Sequence, residues 1–120
     1  MKLFFALLFL VTTHAWAACE LSFPTQAICG HVTWTQGPFA GTYSDMEIVF
    51  EPEITGLTLK VDAWMPAMGH GTRPVVMITR DDGVVEISNI YLMMPGLWQI
   101  RATLTDENGQ SERAEMPVQL

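Results

Sequence analysis

Apolar and polar residues alternate most regularly along residues 57–65. The apolar positions of this segment are Leu57, Leu59, Val61, Ala63 and Met65. The positions between them are mostly polar. A period of two over nine residues is typical of a β-strand and excludes an amphipathic helix, in which apolar residues recur every three or four positions. The pattern therefore predicts a strand whose core face ends at Met65.

Short β-rich segments recur at roughly ten-residue spacing along the rest of the chain. The seven predicted strands are 31–36, 42–50, 57–65, 74–80, 84–94, 97–105 and 111–120. Turn residues separate them, and the clusters of Asp, Asn and Gly at 81–83 and 106–109 predict hairpin turns. The chain is therefore predicted to be an all-β protein, a seven-stranded antiparallel immunoglobulin-like β-sandwich, with residues 31–120 forming one folded domain.

The predicted strands lead to an expected position for two residues in the C-terminal part of the chain. Trp98 shares one face of segment 97–105 with Ile100 and Leu104, so we expect its ring to be buried in the core. Pro117 has no backbone N–H to donate to a neighbouring strand. The last strand, or its end, is therefore predicted to lie at the edge of a sheet.

The N-terminus has the pattern of a secretory signal peptide. Lys2 supplies a positive charge, residues 3–11 are almost all apolar, and Ala15-Trp16-Ala17 fits the small-x-small rule for cleavage. We expect cleavage after Ala17 or Ala18, which assigns residues 1–17 to the signal peptide. The apolar run is about half the ~20 residues that a membrane-spanning helix needs, and no later segment is long enough either. The mature chain is thus expected to have no transmembrane segment and to be periplasmic or secreted.

The segment 18–40 holds the first strand and both cysteines, Cys19 and Cys29. In an exported chain such a pair is expected to form a disulfide, which would stabilise the fold by about 2–3 kcal/mol. The alternative is lipidation of Cys19, because residues 16–19 resemble a lipobox. That motif prefers a Leu-like residue where Trp16 stands, and lipidation would leave Cys29 unpaired. The disulfide is therefore favoured.

Charge and composition argue against several classes of function. Loss of Lys2 with the signal peptide leaves five basic and thirteen acidic residues, a net charge of −8. Such a surface repels nucleic acid and anionic lipid but is compatible with metal ions. The mature chain has two histidines, His31 and His70, and neither a nucleophile elbow nor a phosphate-binding glycine loop. We therefore expect a protein that is not an enzyme and does not bind nucleic acid.

Methionine and histidine are concentrated in two short segments. The residues concerned are Met65, Met68, His70, Met93 and Met94. If consecutive strands run in alternate directions, segments 57–65 and 84–94 finish at the same end of the sandwich. Thioether sulfur together with an imidazole selects Cu(I) over hard cations. These five residues are therefore a candidate copper site, and Trp64 and Trp98 fall near enough to shield the ion.

The same residues also have a purely structural interpretation. Methionine fills irregular gaps in cores, and the end of a sandwich is irregular. By alternation Met65 faces the core, and only one of the adjacent Met93 and Met94 can do so. His70 would then be a solvated or hydrogen-bonded loop residue. Under this hypothesis the chain is a non-catalytic structural or protein-interaction domain with no metal.

The two segments resemble the YtkA-like domain, a family of bacterial envelope proteins related to FixH. The resemblance rests on MPAMGHG at 65–71 and YLMMPGLWQI at 91–100, which follow the family's Met-Pro-x-Met-x-His loop and its later Met, Gly and Trp stretch. It implies that residues 41–120 form an immunoglobulin-like sandwich associated with copper handling or respiratory-oxidase assembly in the bacterial envelope. It further implies that Met65, Met68 and His70 are the motif positions, and that Met93 or Met94 fills the later one. A metal-donor or metal-acceptor protein of the envelope is then the expected partner, although this chain is predicted to lack the transmembrane helix of FixH-type members.

Overall fold

The computed structural model describes residues 19–120. This part of the chain forms nine β-strands and one short 3₁₀ helix, Pro24–Gln26. The strands are β1 (Leu21–Phe23), β2 (Ile28–Gln36), β3 (Tyr43–Glu51), β4 (Thr58–Met65), β5 (His70–Gly71), β6 (Val76–Thr79), β7 (Val85–Tyr91), β8 (Leu97–Thr105) and β9 (Ser111–Gln119). The predicted signal peptide, residues 1–17, lies outside the described residues. Among those described, no helix is long and apolar enough to span a bilayer.

The strands form two antiparallel sheets. One has the strand order β1-β2-β3-β7-β6, and the other has the order β5-β4-β8-β9. Buried apolar side chains from both sheets make one cluster between them, and the edge strands β1 and β9 contact each other. The chain is therefore an all-β protein with the two-layer arrangement of a β-sandwich, as the sequence predicts.

The predicted strand faces are confirmed. The buried face of β4 is formed by Leu59, Val61, Ala63 and Met65. The buried face of β8 is formed by Trp98, Ile100, Ala102 and Leu104. Burying one large apolar side chain stabilises the fold by about 1.5–3 kcal/mol, and a slip of one residue would expose the whole set. Core burial is therefore sufficient to determine the register of these strands.

The predicted turns and the edge position of the last strand are also confirmed. The backbone N–H of Arg80 donates to the carbonyl oxygen of Val84 (2.8 Å) and closes the hairpin between β6 and β7. In the β8–β9 loop, the Asp106 carboxylate accepts two backbone N–H hydrogen bonds of 2.9 Å from residues that follow it, which stabilises the turn. Pro117 lies in β9, an edge strand.

The strand count and several strand boundaries differ from the prediction. The described residues contain nine strands rather than seven, because β1 and β5 are too short for any period to reveal them. Strand β2 begins at Ile28, three residues before the predicted start. Strand β7 ends at Tyr91 rather than at residue 94. The reason is a change of hydrogen-bond partner: the carbonyl oxygen of Leu92 accepts from the N–H of Gly41 (2.7 Å), in the loop that precedes β3.

A disulfide joins the N-terminal segment to the first sheet. Cys19 and Cys29 are bonded, and their Cα atoms are 5.6 Å apart. The predicted pairing is therefore confirmed. Strand β1, which follows Cys19 closely, adds the fully buried side chains of Leu21 and Phe23 to the core. The disulfide thus holds in place a strand that covers one edge of the sandwich core.

Candidate functional site

The candidate site is built on the turn that follows β4. Met65, the last residue of β4, pairs directly with His70 of β5 in the antiparallel ladder. The turn between them is tight, because the backbone N–H groups of Met68 and Gly69 both donate to the carbonyl oxygen of Met65, at 3.2 and 3.0 Å. Directly paired residues of antiparallel strands project from the same face of the sheet, with Cβ atoms about 4.5–5.5 Å apart. The Met65 and His70 side chains therefore stand side by side on the inner face.

The imidazole of His70 is half-buried and oriented by the backbone of the next residue. Its Nδ1 lies 3.3 Å from the carbonyl oxygen of Gly71. A carbonyl oxygen can only accept, so this contact makes Nδ1 the donor and leaves the lone pair on Nε2. Within residues 19–120 no hydrogen bond or ion pair engages Nε2. A backbone carbonyl on one ring nitrogen with a free lone pair on the other is the arrangement found in metal-binding histidines.

The second segment reaches the same end of the sandwich through Gly96. Met65 is buried, at 4% exposure, and its Cε lies 2.6 Å from the position that a Cβ on residue 96 would occupy. Gly96 has φ +135°, a conformation that residues with side chains rarely adopt. The Pro95-Gly96 turn therefore lies against the end of the Met65 side chain.

Met93 and Met94 differ in their burial, at the point where the chain bends before β8. Met93 is 36% exposed, whereas Met94 is half-buried and packs against the core. The carbonyl oxygen of Met94 accepts a hydrogen bond of 2.9 Å from the indole N–H of Trp98, which is fully buried. This hydrogen bond positions the backbone of Met94 directly above the core.

Met68 and several neighbours make an apolar rim around this end. Met68 is 55% exposed, more than any other large apolar side chain in residues 19–120. The rim consists of Phe39, Met68, Met93 and Leu97. The two segments thus supply one buried thioether, Met65, one half-buried thioether, Met94, and two exposed ones, Met68 and Met93.

Trp64 lies on the opposite face of β4 from Met65. The guanidinium carbon of Arg101 sits 4.6 Å from the centre of its ring, and Arg101 also makes a bidentate ion pair with Asp62, at 2.7 and 2.9 Å. The hydrogen bonds that Arg101 donates to the Asp62 carboxylate raise the pKa of Arg101. The expectation that Trp64 shields an ion at the Met65 site is wrong, because its ring covers the outer face beside a fixed cation. Trp98, in contrast, lies beneath the site.

The ligand types available here are restricted. No group of three or more His, Cys, Asp or Glu side chains in the described part of the chain is placed to hold a metal ion. Beside the imidazole of His70, methionine sulfur is the soft donor that the residues of the two segments supply. Gly71 and Gly96 also belong to this end of the sandwich. Both lie within the two segments that carry the family resemblance, but they were not predicted as site residues.

A separate cleft lies at the other end of the sandwich. It has a volume of about 250 Å³ and opens where β3 and β6 end and β7 begins. Its walls are formed by Phe50, Ile54, Leu57 and Val85, with the carboxylate of Glu53 among the polar side chains. It contains neither methionine nor histidine, so it is separate from the candidate site. Comparisons of the chain with family models, curated proteins and solved structures find no significant match.

Proposed function

We propose that this chain is an exported, non-catalytic domain that binds Cu(I) at the end of the sandwich formed by Met65, Met68 and His70, with Met93 or Met94 as a further ligand. The observation that carries the proposal is the direct pairing of Met65 with His70. It brings a thioether and an imidazole to one face of the sheet. The lone pair of the His70 Nε2 atom is then available for coordination.

The donor set fits copper in its reduced state. Thioether sulfur and neutral imidazole are soft or borderline ligands that favour Cu(I) over Ca²⁺ and Mg²⁺. Met65 is buried and would contribute a ligand protected from solvent, whereas Met68 is exposed and would contribute one that a second protein can reach. A site with one protected and one accessible sulfur suits transfer of the ion. We therefore propose a metal-donor or metal-acceptor protein of the envelope as the partner.

We further propose that the sandwich is of the immunoglobulin-like type and that the resemblance to YtkA-like domains reflects kinship. The strand order supports this. If β2, β3, β6 and β7 are equated with strands A, B, D and E, the first sheet reads A-B-E-D beyond β1. The second sheet then reads C′-C-F-G. The disulfide supports an oxidising compartment such as the periplasm or the cell exterior.

A second candidate function follows from the apolar rim. Phe39, Met68, Met93 and Leu97 are each between 36% and 55% exposed and lie at the same end of the sandwich. Clustered exposed apolar side chains mark protein interaction sites. Under this alternative the chain is a structural or protein-interaction domain of the envelope that binds no metal.

A Cu(I) competition titration separates the two functions. The purified protein competes with a chromogenic Cu(I) chelator in the presence of a reductant that contains no thiol, so that the disulfide stays intact. We expect the double variant Met68→Leu with His70→Ala to bind Cu(I) at least ~10-fold more weakly than the wild type, about 1.4 kcal/mol. Leucine nearly preserves the volume of methionine, so the melting temperature of the metal-free protein should hardly change.

Met77→Leu is the matched control, since Met77 is an exposed methionine in β6, which is not part of the candidate site. It should bind Cu(I) as the wild type does. If the wild-type protein takes no Cu(I) from even a weak chelator, the copper proposal is wrong and the interaction domain remains. If the wild type does not bind Cu(I) and the double variant is less stable than the wild type, the structural interpretation is supported.

A further inference from the structure

Strand β6 is an unprotected edge of the five-stranded sheet. It pairs with β7 on one side, and no strand of residues 19–120 pairs with its other side. All four of its residues are exposed, and three of them are large and apolar: Val76, Met77 and Ile78, at 43%, 42% and 53%. Proteins usually protect such an edge with charged residues, proline or a covering loop. The centre of β6 carries no charge and no proline.

Both faces of β6 are apolar and open. Val76 and Ile78 pair with Ser88 and Glu86 of β7 and therefore project outward. Met77 pairs with Ile87, which is fully buried, and so projects toward the core side. Met77 is nevertheless exposed, because the sheet order puts β6 opposite β5, and β5 has only two residues.

The hydrogen-bonding groups on the free side belong to alternate residues. The N–H of Arg80 donates toward β7, to the carbonyl oxygen of Val84. Backbone N–H and C=O groups alternate in direction along a strand. Those of Val76 and Ile78 therefore also point toward β7, whereas those of Met77 and Thr79 point to the free side of β6. A strand added at this edge must therefore bond to Met77 and Thr79.

The charges that flank β6 are complementary to each other. Arg73 precedes the strand and Asp81 follows it, and neither takes part in an ion pair within residues 19–120. The Arg73 guanidinium is exposed, donates a hydrogen bond of 3.4 Å to the Tyr43 hydroxyl, and lies 5.1 Å from the centre of the Tyr91 ring. An apolar strand with an unpaired cation at one end and an unpaired anion at the other is self-complementary when a second copy runs antiparallel to it.

We propose that the occupant of this edge is a second copy of the chain, with β6 paired to β6 about a two-fold axis at Met77. In this register Met77 faces Met77 of the second copy, and Val76 packs against Ile78 of the second copy on the outer face. Arg73, in the bend before β6, then comes to the same end of the paired strands as Asp81 of the second copy, in the turn after β6, twice per dimer. The two five-stranded sheets become one continuous sheet.

The charges select this register. Residues whose backbone N–H and C=O groups point to the free side of β6 must pair with residues of the same kind in the second copy. The register can therefore shift only in steps that keep Met77 opposite a residue of this kind. In the next register, Met77 faces Thr79, Arg73 faces Gly83, and Asp81 faces Val75. That arrangement leaves both charges unpaired, so the two-fold axis at Met77 is favoured.

Sedimentation equilibrium of the purified protein at concentrations up to about 1 mM tests the dimer. We expect the wild-type average mass to rise from monomer to dimer. Ile78→Lys should shift the midpoint at least ~10-fold toward higher concentration, because an edge lysine opposes strand pairing. Val49→Lys is the matched control: Val49 is 44% exposed but lies in the interior strand β3, so this variant should dimerise as the wild type does. A wild-type protein that stays monomeric throughout, as expected if the edge serves another protein or none, overturns the proposal. If Ile78→Lys and Val49→Lys shift the dimerisation midpoint equally, the proposal is also overturned.

Charge reversal and crosslinking test the register. Arg73→Asp and Asp81→Arg should each weaken the dimer, and the double variant should restore it, since the opposed pair is then re-formed with exchanged signs. Oxidised Met77→Cys should give a covalent dimer, because residues facing each other at a hydrogen-bonded position have Cα atoms about 5.5 Å apart. Val76→Cys should not, since its copy would be about 7–8 Å away on the diagonal. A dimer that crosslinks equally through both positions, or that the double reversal fails to restore, contradicts this register.

Discussion

The end of the Met65 side chain lies against Gly96, at a point where a Cβ on residue 96 would come within 2.6 Å of Cε. We predict that Gly96→Ala destabilises the protein by about 1–3 kcal/mol, because the added methyl meets Met65 and the backbone at φ +135° disfavours a side chain. Urea denaturation at constant pH measures this. In the copper-binding form, the displaced Met65 should also weaken Cu(I) binding.

Gly109→Ala is the control for this variant. Gly109 also has a positive φ, +80°, but nothing lies within 4 Å of the position of its Cβ. Its alanine variant therefore introduces backbone strain without a contact. If Gly109→Ala and Gly96→Ala lose the same stability and Cu(I) affinity is unchanged in both, the Met65–Gly96 contact is unimportant.

Trp98 should contribute more stability than any other side chain at this end of the core. Its ring is fully buried and its indole N–H donates to the carbonyl oxygen of Met94. Trp98→Ala should lower the free energy of unfolding by about 3–5 kcal/mol through the cavity that it leaves. Trp98→Phe keeps most of the ring and should cost less, mainly the lost hydrogen bond, about 1–3 kcal/mol. A loss below about 1 kcal/mol for Trp98→Ala would contradict the register of β8.

Two carboxylates should make the fold acid-sensitive. Hydrogen bonding to Arg80 lowers the pKa of Asp82. Burial alone would raise the pKa of Glu112, but hydrogen bonding with the Thr25 side chain and with the backbone N–H groups of Thr25 and Gln26 brings it below its ordinary value. A lowered pKa in the folded state means that the stabilisation is present above the unfolded pKa, near 4, and is lost as the pH falls through the lower folded value.

We therefore predict that the free energy of unfolding decreases between about pH 5 and pH 2. Glu112→Gln and Asp82→Asn should each reduce that decrease, as measured by urea denaturation across this range. Glu107→Gln, in the exposed loop between β8 and β9, serves as the control. A pH dependence that is the same in all three variants and the wild type would show that these hydrogen bonds do not contribute.

Periodicity predicted the parts of the fold in which burial determines structure. In β4 every second residue from Leu59 to Met65 enters the core, so a period of two in the sequence was sufficient. In β7 the same approach failed at the end of the strand. Ile87 and Ile90 are both buried although they are three residues apart, because Asn89 adopts φ +59° and the register with β3 shifts between Ser44 and Met46. A bulge of this kind leaves no signal in a hydrophobic pattern.

The candidate site was predicted in outline and not in detail. Chain reversal between antiparallel strands was enough to expect residues 65–71 and 93–96 at one end. The direct pairing of Met65 with His70 depends on β5, a two-residue strand set by the hydrogen bonds of the turn. The orientation of Trp64 depends on Arg101, 37 positions away in the sequence. Contacts so distant cannot be derived from local pattern.

Methyl NMR of the protein with ¹³C-labelled methionine methyl groups tests the copper site most directly. On adding a stoichiometric amount of Cu(I), with a reductant that contains no thiol, we predict that the methyl resonances of Met65 and Met68 shift, together with that of Met93 or Met94. The resonances of Met46, buried within the core, and Met77, exposed on β6, should stay in place. If no methionine resonance shifts, or if Met77 shifts as much as Met68, the end of the sandwich is not a specific copper site.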